Sequence, residues 1–235
     1  MEIKKLYIDK DIIVCEKPVG MLAQRDTSGE DGLTELLQAE LGGEIHPISR
    51  LDRPVGGLTL LARSRKAAAA LSAAVGAHTA FVKEYLACVS GTPEKEEGIL
   101  EDELFRDRAS GRTFAVQTPR KGTKHAALGY RLLKTADDGT GKPLSLIKIR
   151  LFTGRTHQIR AQFSSRGMPI AGDGKYGSRV KCEGIALRCC RLCFKHPISG
   201  KRTDISLYPE GEPIFGLFGE LSRLANDAEI PVISQ

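Results

Sequence analysis

Apolar positions in this chain fall in short unbroken or alternating runs more often than in helical stripes. Ile12-Ile13-Val14-Cys15 is an unbroken run closed by Lys17-Pro18 and Gly20, the pattern of a buried strand entering a turn. Leu33, Leu36, Leu37 and Leu41 repeat at helical spacing and stop at Gly42-Gly43, which predicts a helix over 32–41 with a glycine terminator. Residues 58–62 are a second apolar run and predict a strand. Ser64 then stands where it can cap a helix over 65–75, with Leu71 and Val75 on one face. Residues 81–89 alternate and are rich in Val, Tyr and Phe, so they predict a strand.

Beyond a charged loop at 94–97, residues 99–105 predict an edge strand. The polar, basic stretch 107–121, with Gly111, Pro119 and then Gly122, predicts a surface hairpin or loop. Residues 126–133 and 144–152 predict a strand pair joined by the turn-forming Asp137-Asp138-Gly139-Thr140-Gly141. Residues 156–166 are amphipathic, with Ile159 and Phe163 four apart, and predict a helix ending at Gly167. A strand over 185–194 follows, then turns at His196-Pro197 and Gly200-Lys201, a last strand over 204–208, and a closing helix over 214–224 that aligns Leu217, Leu221 and Leu224. The tail from Ala225 reads as frayed. Many strands, few intervening helices and hairpin connections imply an α+β fold with a mixed, largely antiparallel central sheet flanked by helices. No repeat or composition break divides the chain, so we expect one domain over 1–225 and a C-terminal tail over 226–235.

Composition narrows the class. With 235 residues, 41% hydrophobic and 27% charged, the chain can bury a real core, and it is not disordered, collagenous or a coiled coil as a whole. No run approaches the ~18 apolar residues of a membrane-spanning helix, and early acids interrupt any secretory leader. Six cysteines without a leader read as free thiols in a reducing cytoplasm. The net charge of +6 leans mildly towards an acidic partner.

Three segments could carry chemistry. In Ser49-Arg50-Leu51-Asp52-Arg53-Pro54-Val55-Gly56-Gly57-Leu58, one carboxylate lies between two arginines ahead of a Pro/Gly turn. The arginines favour its ionised form, and a lone ionised Asp at a loop mouth suits a nucleophile or a general base. The same pattern also reads as an ion-paired surface turn. In Leu151-Phe152-Thr153-Gly154-Arg155-Thr156-His157-Gln158-Ile159-Arg160, a strand ends, Gly154 permits a turn and a helix begins. Arg155 at that entrance could help hold an anion, or the basic segment could be a solvated face. In Phe81-Val82-Lys83-Glu84-Tyr85-Leu86-Ala87, strand geometry puts Phe81, Lys83 and Tyr85 on one face. Such a Tyr–Lys pair can stack a base and contact phosphate, or Tyr85 can simply be a half-buried strand residue. Metal binding has little support: Cys190 and Cys193 form a single C-x-x-C in a strand-like run, where odd separation turns the thiols to opposite faces. Cys182, Cys189, His157 and His196 complete no ligand pattern.

In this order, the three segments resemble the RluA family of RNA pseudouridine synthases. Arg50-Leu51-Asp52 with Gly57-Leu58 is similar to the stretch around that family's catalytic aspartate. Lys83-Glu84-Tyr85 resembles its tyrosine motif, and Gly154-Arg155-Thr156-His157-Gln158-Ile159-Arg160 its third motif. Residues 11–20, 169–177 and 187–197 resemble flanking family segments, so the likeness spans roughly 5–210. The chain departs from the family pattern at Ser49, where a His is usual, at Val55-Gly56-Gly57 in place of Thr-Ser-Gly, and at Leu187-Arg188-Cys189 in place of Leu-His-Ala.

The resemblance implies the pseudouridine synthase fold and the isomerisation of uridine to pseudouridine in a structured RNA, a tRNA or rRNA stem-loop, after the base is flipped from its stack. It implies Asp52 as nucleophile, on ribose or on uracil, and Arg155 as the partner that pairs with it. Tyr85 would stack on the uracil, Arg50 would fill the vacated space, and Leu187 would line the pocket. Arg53, Lys83, His157 and Arg160 complete the expected substrate contacts, with Arg50, Arg53, Arg155 and Arg160 lining one cleft. No metal, organic cofactor or obligatory protein partner is implied, and we expect a cytoplasmic monomer. An inactive RNA-binding module of the same fold, or a zinc-stabilised nucleic-acid protein, would be the competing classes.

Overall fold

The computed structural model describes residues 2–76 and 81–233. In chain order the elements are β1 (Lys5–Ile8), β2 (Ile12–Lys17), α1 (Leu33–Leu41), β3 (His46–Pro47), β4 (Gly56–Ala62), α2 (Arg65–Gly76), β5 (Phe81–Ser90), β6 (Glu97–Asp107), β7 (Arg112–Val116), β8 (Thr123–Asp137), β9 (Pro143–Leu151), α3 (Gln158–Ser164), a 3-10 turn at Gly174–Tyr176, β10 (Leu187–Lys195), β11 (Arg202–Ser206), α4 (Pro213–Gly216) and α5 (Leu221–Asn226). Strands dominate and pair mostly antiparallel, as the sequence pattern predicts. No described helix is long and apolar enough to cross a membrane. The chain folds into two compact units, Met1–Lys83 with Arg188–Leu207, and Glu84–Leu187 with Tyr208–Gln235.

In the first unit the organising strand is β4, all seven of whose residues are buried. It pairs antiparallel with β2 from Ile12↔Ala62 to Lys17↔Gly57, and parallel with β10 at Arg188↔Gly56 and Cys189↔Gly57. β1 extends β2, and β11 forms a hairpin with β10. Gly57 shows why the sequence needs glycine here. Its φ is +107°, and a Cβ would lie 2.3 Å from the Cys189 carbonyl oxygen, so no side chain fits where β10 docks. Leu33 and Leu37 of α1 pack with Ile13, Cys15 and Leu61, each such apolar side chain contributing about 1.5–3 kcal/mol on burial. The Ser64 hydroxyl caps α2, accepting the Ala67 N–H at 3.2 Å.

The second unit is an antiparallel meander in the order β5-β9-β8-β6-β7, containing β5 from Glu84 onward. Leu104 of β6 and Ala126 of β8 pack on Ala161 of α3 and on Tyr176. At its end Lys148 of β9, only 7% exposed, ion-pairs with Glu84 at 3.3 Å. The same ammonium donates to the carbonyls of Ala225 (2.8 Å) and Ala228 (2.9 Å).

Four expectations need correcting. β6 is not an edge strand, because the basic stretch after it returns as β7 and covers that side. The closing helix is two short helices, interrupted where Gly219 takes φ +87°. The chain from Ala225 is not frayed through its described length: Ala225 is fully buried, its carbonyl is held by Lys148, and Pro231 and Ile230 crowd Gly129. Ser234 and Gln235 lie outside the described residues. The last strand is Arg202–Ser206, set by its hairpin with β10 rather than by its own apolar pattern.

Candidate active site

The nine residues singled out by the sequence divide between the units. Arg50, Asp52, Arg53 and Lys83 belong to the first, and Tyr85, Arg155, His157, Arg160 and Leu187 to the second.

Asp52 is half-buried in the turn that leads into β4, and Arg50 beside it is exposed. The Asp52 carbonyl closes the turn by accepting the Val55 N–H at 2.9 Å. Arg53 is tied down: its Nε donates to the Gly20 carbonyl (2.9 Å), its own carbonyl accepts the Gly20 N–H (2.9 Å), and its guanidinium pairs with Glu30 (3.0 Å). Beneath this turn lies Lys17, fully buried at the end of β2. Its ammonium donates to the carbonyls of Pro18 (2.9 Å), Met21 (2.7 Å) and Arg53 (3.3 Å), one acceptor for each of its three protons. Burial lowers the Lys17 pKa to about 8. The Asp52 charge opposes that fall, and Arg188 and Arg53 add to it. Ser49, where the family pattern has a His, is also engaged: its hydroxyl accepts the Leu60 N–H (3.0 Å) and its carbonyl the Thr59 hydroxyl (2.7 Å). Lys83 lies 5.8 Å from the centroid of the Phe81 ring, in keeping with the shared strand face, and burial lowers its pKa.

In the second unit the Arg155 turn is built on neutral groups. The Gln158 side-chain oxygen accepts the Thr153 hydroxyl (2.8 Å) and the Arg155 N–H (2.9 Å), while its amide donates to the Ala127 carbonyl (3.1 Å). Arg155 is exposed, and its Nε donates to the His125 carbonyl at 2.8 Å. His157 caps α3 with φ +54°, the only positive φ at a non-glycine among the described residues. Its Nδ1 meets the Tyr176 hydroxyl at 2.9 Å, and that hydroxyl also accepts the Thr113 N–H at 2.8 Å. Tyr85 and Leu187 are buried.

Two chemical expectations change. Arg160 does not line an open cleft: it is 4% exposed, and its guanidinium grips Asp173, 1% exposed, through two bonds of 2.6 and 2.9 Å with the Tyr176 ring alongside. It positions the third motif from inside. The helix entrance is not an anion site either, because α3 starts only at Gln158 and the Arg155 N–H is already taken by the Gln158 side chain. The six cysteines are free thiols, with Cys15 and Cys88 pushed up to about 12 by burial. Asp9, Asp11 and His196 converge closely enough for a metal, but their bonds describe a turn anchor. Asp9 accepts the backbone N–H groups of Asp11 and Ile12 and the Tyr7 hydroxyl. His196 accepts N–H groups at Nδ1, which leaves its proton on Nε2, facing Asp9.

The family model for RNA pseudouridylate synthase matches residues 11–165, a span containing the Asp52 turn, Tyr85 and the Arg155 turn. The chain belongs to this family. It is accordingly an RNA-modifying isomerase that converts uridine to pseudouridine. It is 30% identical to the tRNA pseudouridine synthase C of Haemophilus ducreyi over 240 residues, covering 93% of this chain and 97% of that protein. It is 31% identical to the ribosomal large subunit pseudouridine synthase D of Zymomonas mobilis over 219 residues, covering 85% and 67%. Human RNA pseudouridylate synthase domain containing 1 shares the fold, with a TM-score of 0.77 at 20% identity over 98% of this chain and 97% of that one.

Two residues of this synthase escaped the sequence reading as site components. Lys17 was visible only as the lysine of a strand-closing Lys-Pro, and nothing in that pattern says that its ammonium ends beneath Asp52. Arg188 looked like a departure from the family motif. It is buried opposite Gly56, where an added Cβ would approach its Nε at 3.3 Å. It brings a second buried cation to the Asp52 turn, as its effect on Lys17 registers.

Proposed function

We propose that this synthase modifies particular uridines in a tRNA or rRNA stem-loop, with Asp52 as the nucleophile. The observation that carries the reading is the Asp52 turn. Asp52, half-buried, stands in a turn that the buried Lys17 ammonium ties, through the Arg53 carbonyl, to the Pro18 and Met21 carbonyls of the loop after β2, so the nucleophile is held in place before substrate arrives. In the reaction the bond from ribose C1′ to uracil N1 breaks and a bond from C1′ to C5 forms. The C5 proton leaves and N1 gains one, so no redox partner is consumed. Asp52 attacks ribose or uracil and is released at the end. Tyr85 stacks on the uracil, Arg155 supplies positive charge, Arg50 fills the space left by the flipped base, and Leu187 forms apolar wall. Flipping costs a few kcal/mol, offset by these contacts.

Both RNA classes are carried forward, because the chain is about equally similar to a tRNA-named relative (30% identical) and to a ribosomal one (31% identical). The enzyme works as a cytoplasmic monomer, in keeping with six free thiols. Mapping pseudouridine across cellular RNA with and without the gene tests the reading. One or a few sites should vanish on deletion, and an unchanged map would count against it.

A further inference from the structure

The chemistry proposed above gives no part to one buried cation. Arg188, the second residue of β10, is 6% exposed, and a guanidinium keeps its charge wherever it is placed. A buried charge that cannot be shed is costly, and it is tolerated where opposite charge or acceptors surround it. Arg188 stands opposite Gly56 in the short parallel pairing of β10 with β4. Gly56 is the residue directly after Val55, whose N–H closes the Asp52 turn on the Asp52 carbonyl at 2.9 Å. The guanidinium is therefore seated at the foot of the turn that carries the proposed nucleophile.

The sequence makes room for it there. A Cβ added at Gly56 would come within 3.3 Å of the Arg188 Cδ and Nε and within 3.0 Å of the Val19 Cγ2, tighter than ordinary van der Waals contact. Gly56 is not among the glycines with positive φ, so its backbone would accept a side chain and space alone excludes one. Gly56 and Arg188 are also two of the positions at which the chain departs from the family pattern of Thr-Ser-Gly and Leu-His-Ala. The smaller residue at one and the larger at the other fit together as a pair. The charge reaches the turn as well. Arg188 and Arg53 push the Lys17 pKa down while Asp52 opposes them, so the four groups share one field. Hydrogen bonds commit two of the three cations elsewhere: Lys17 to the carbonyls of Pro18, Met21 and Arg53, and the Arg53 guanidinium to Glu30 and the Gly20 carbonyl.

We propose that Arg188, seated on Gly56, is a positioning residue for Asp52, a fixed positive charge that holds the carboxylate in its reacting orientation by attraction rather than by packing. The proposal rests on Asp52 being the nucleophile. Attraction between opposite charges is screened less in a buried turn than in water. A cation beneath the turn can therefore orient the carboxylate without touching the substrate itself, and its loss should be felt in the chemical step rather than in RNA binding.

The test compares Arg188→Met with Arg188→Lys, side chains of similar length without and with a charge. The substrate is RNA from cells lacking the gene, labelled at uracil C5 with tritium, with tritium release reporting kcat and KM. NMR of lysines labelled with carbon-13 at Cε follows the Lys17 ammonium, assigned against Lys17→Met. Arg188→Met should lower kcat about tenfold or more and change KM less than about twofold. It should also raise the Lys17 pKa above about 8, because a like charge has gone. Arg188→Lys should bring kcat back to within about threefold of wild type. Gly56→Ala, which crowds the guanidinium, should lower kcat about threefold in wild type and hardly at all in Arg188→Met, where the charge it displaces is already absent. Lys195→Gln, which removes an exposed cation from the far end of β10, should change neither kcat nor the Lys17 titration. If Arg188→Met turns over as wild type does, or Arg188→Lys is as slow as Arg188→Met, the positioning role is refuted while the proposed function stands. Should Arg188→Met fail to fold, an unchanged kcat in Gly56→Ala refutes it equally. If Asp52→Asn releases tritium at the wild-type rate, the proposed function fails and the positioning role fails with it.

Discussion

The two turns that carry the proposed catalytic side chains are held by opposite means. The Asp52 turn is tied to the loop after β2 by a buried charge, Lys17, whose three protons go to the carbonyls of Pro18, Met21 and Arg53. The Arg155 turn is gathered by a neutral amide, Gln158, which ties Thr153, Arg155 and Ala127 together. A buried ammonium is costly to desolvate but supplies positive potential beside a carboxylate. An amide supplies geometry alone. The carboxylate turn should therefore respond to pH through its support, and the arginine turn should not.

The largest expected effect asks whether the arginine side is as neutral deeper down as it is at the turn. The Arg160–Asp173 pair is buried, so Arg160→Ala strands a carboxylate and should cost about 3–5 kcal/mol in unfolding by denaturant. A loss below about 1 kcal/mol would mean that the pair is dispensable and the neutral network suffices.

Next come the two supports themselves. Lys17→Met and Gln158→Leu each leave buried backbone or hydroxyl groups without partners and should each cost about 2–3 kcal/mol at neutral pH. They separate on titration. The folded pKa of Lys17, about 8, lies below the ordinary lysine value of 10.5, so between those values the unfolded chain binds more protons and stability rises with pH. The cost of the buried charge is fully present below pH 8 and is relieved as pH climbs towards 10.5. The stability advantage of wild type over Lys17→Met should therefore widen from pH 7.5 to 9.5, while its advantage over Gln158→Leu stays level. Parallel curves for the two variants would erase the contrast between the turns.

The smallest effect concerns His157. Ala at φ +54° is strained and loses the Tyr176 contact, so His157→Ala should cost about 1–2 kcal/mol. His157→Gly, free of strain, should cost less. Equal losses would assign the whole effect to the Tyr176 hydrogen bond.

These contrasts also mark what the sequence could and could not disclose. Strands such as β2, β4 and β5 were legible because their apolar runs are long and sharply punctuated, and α1 because Gly42 ends it. The last helix misled, since Leu217, Leu221 and Leu224 keep helical spacing across a glycine that breaks the backbone. β6 misled because whether a strand is an edge depends on its neighbour, and β7 is only five residues long within a polar, basic stretch. At the site, Asp52, Tyr85 and Arg155 stood out because motif order singles them out. Arg160 was misassigned for a physical reason. An arginine reads as exposed unless its counter-charge is known, and Asp173 lies thirteen residues away in an irregular loop. Lys17 was missed for the mirror-image reason, as its acceptors are backbone carbonyls that carry no residue signature.

The central claim is that this chain is a pseudouridine synthase whose nucleophile is Asp52, and one comparison tests it most directly. Purified wild type and Asp52→Asn are given the C5-tritiated RNA, and tritium release and RNA binding are measured together. Wild type should release tritium and form pseudouridine, while Asp52→Asn should bind the RNA comparably and release none. Turnover by Asp52→Asn at the wild-type rate would contradict the account.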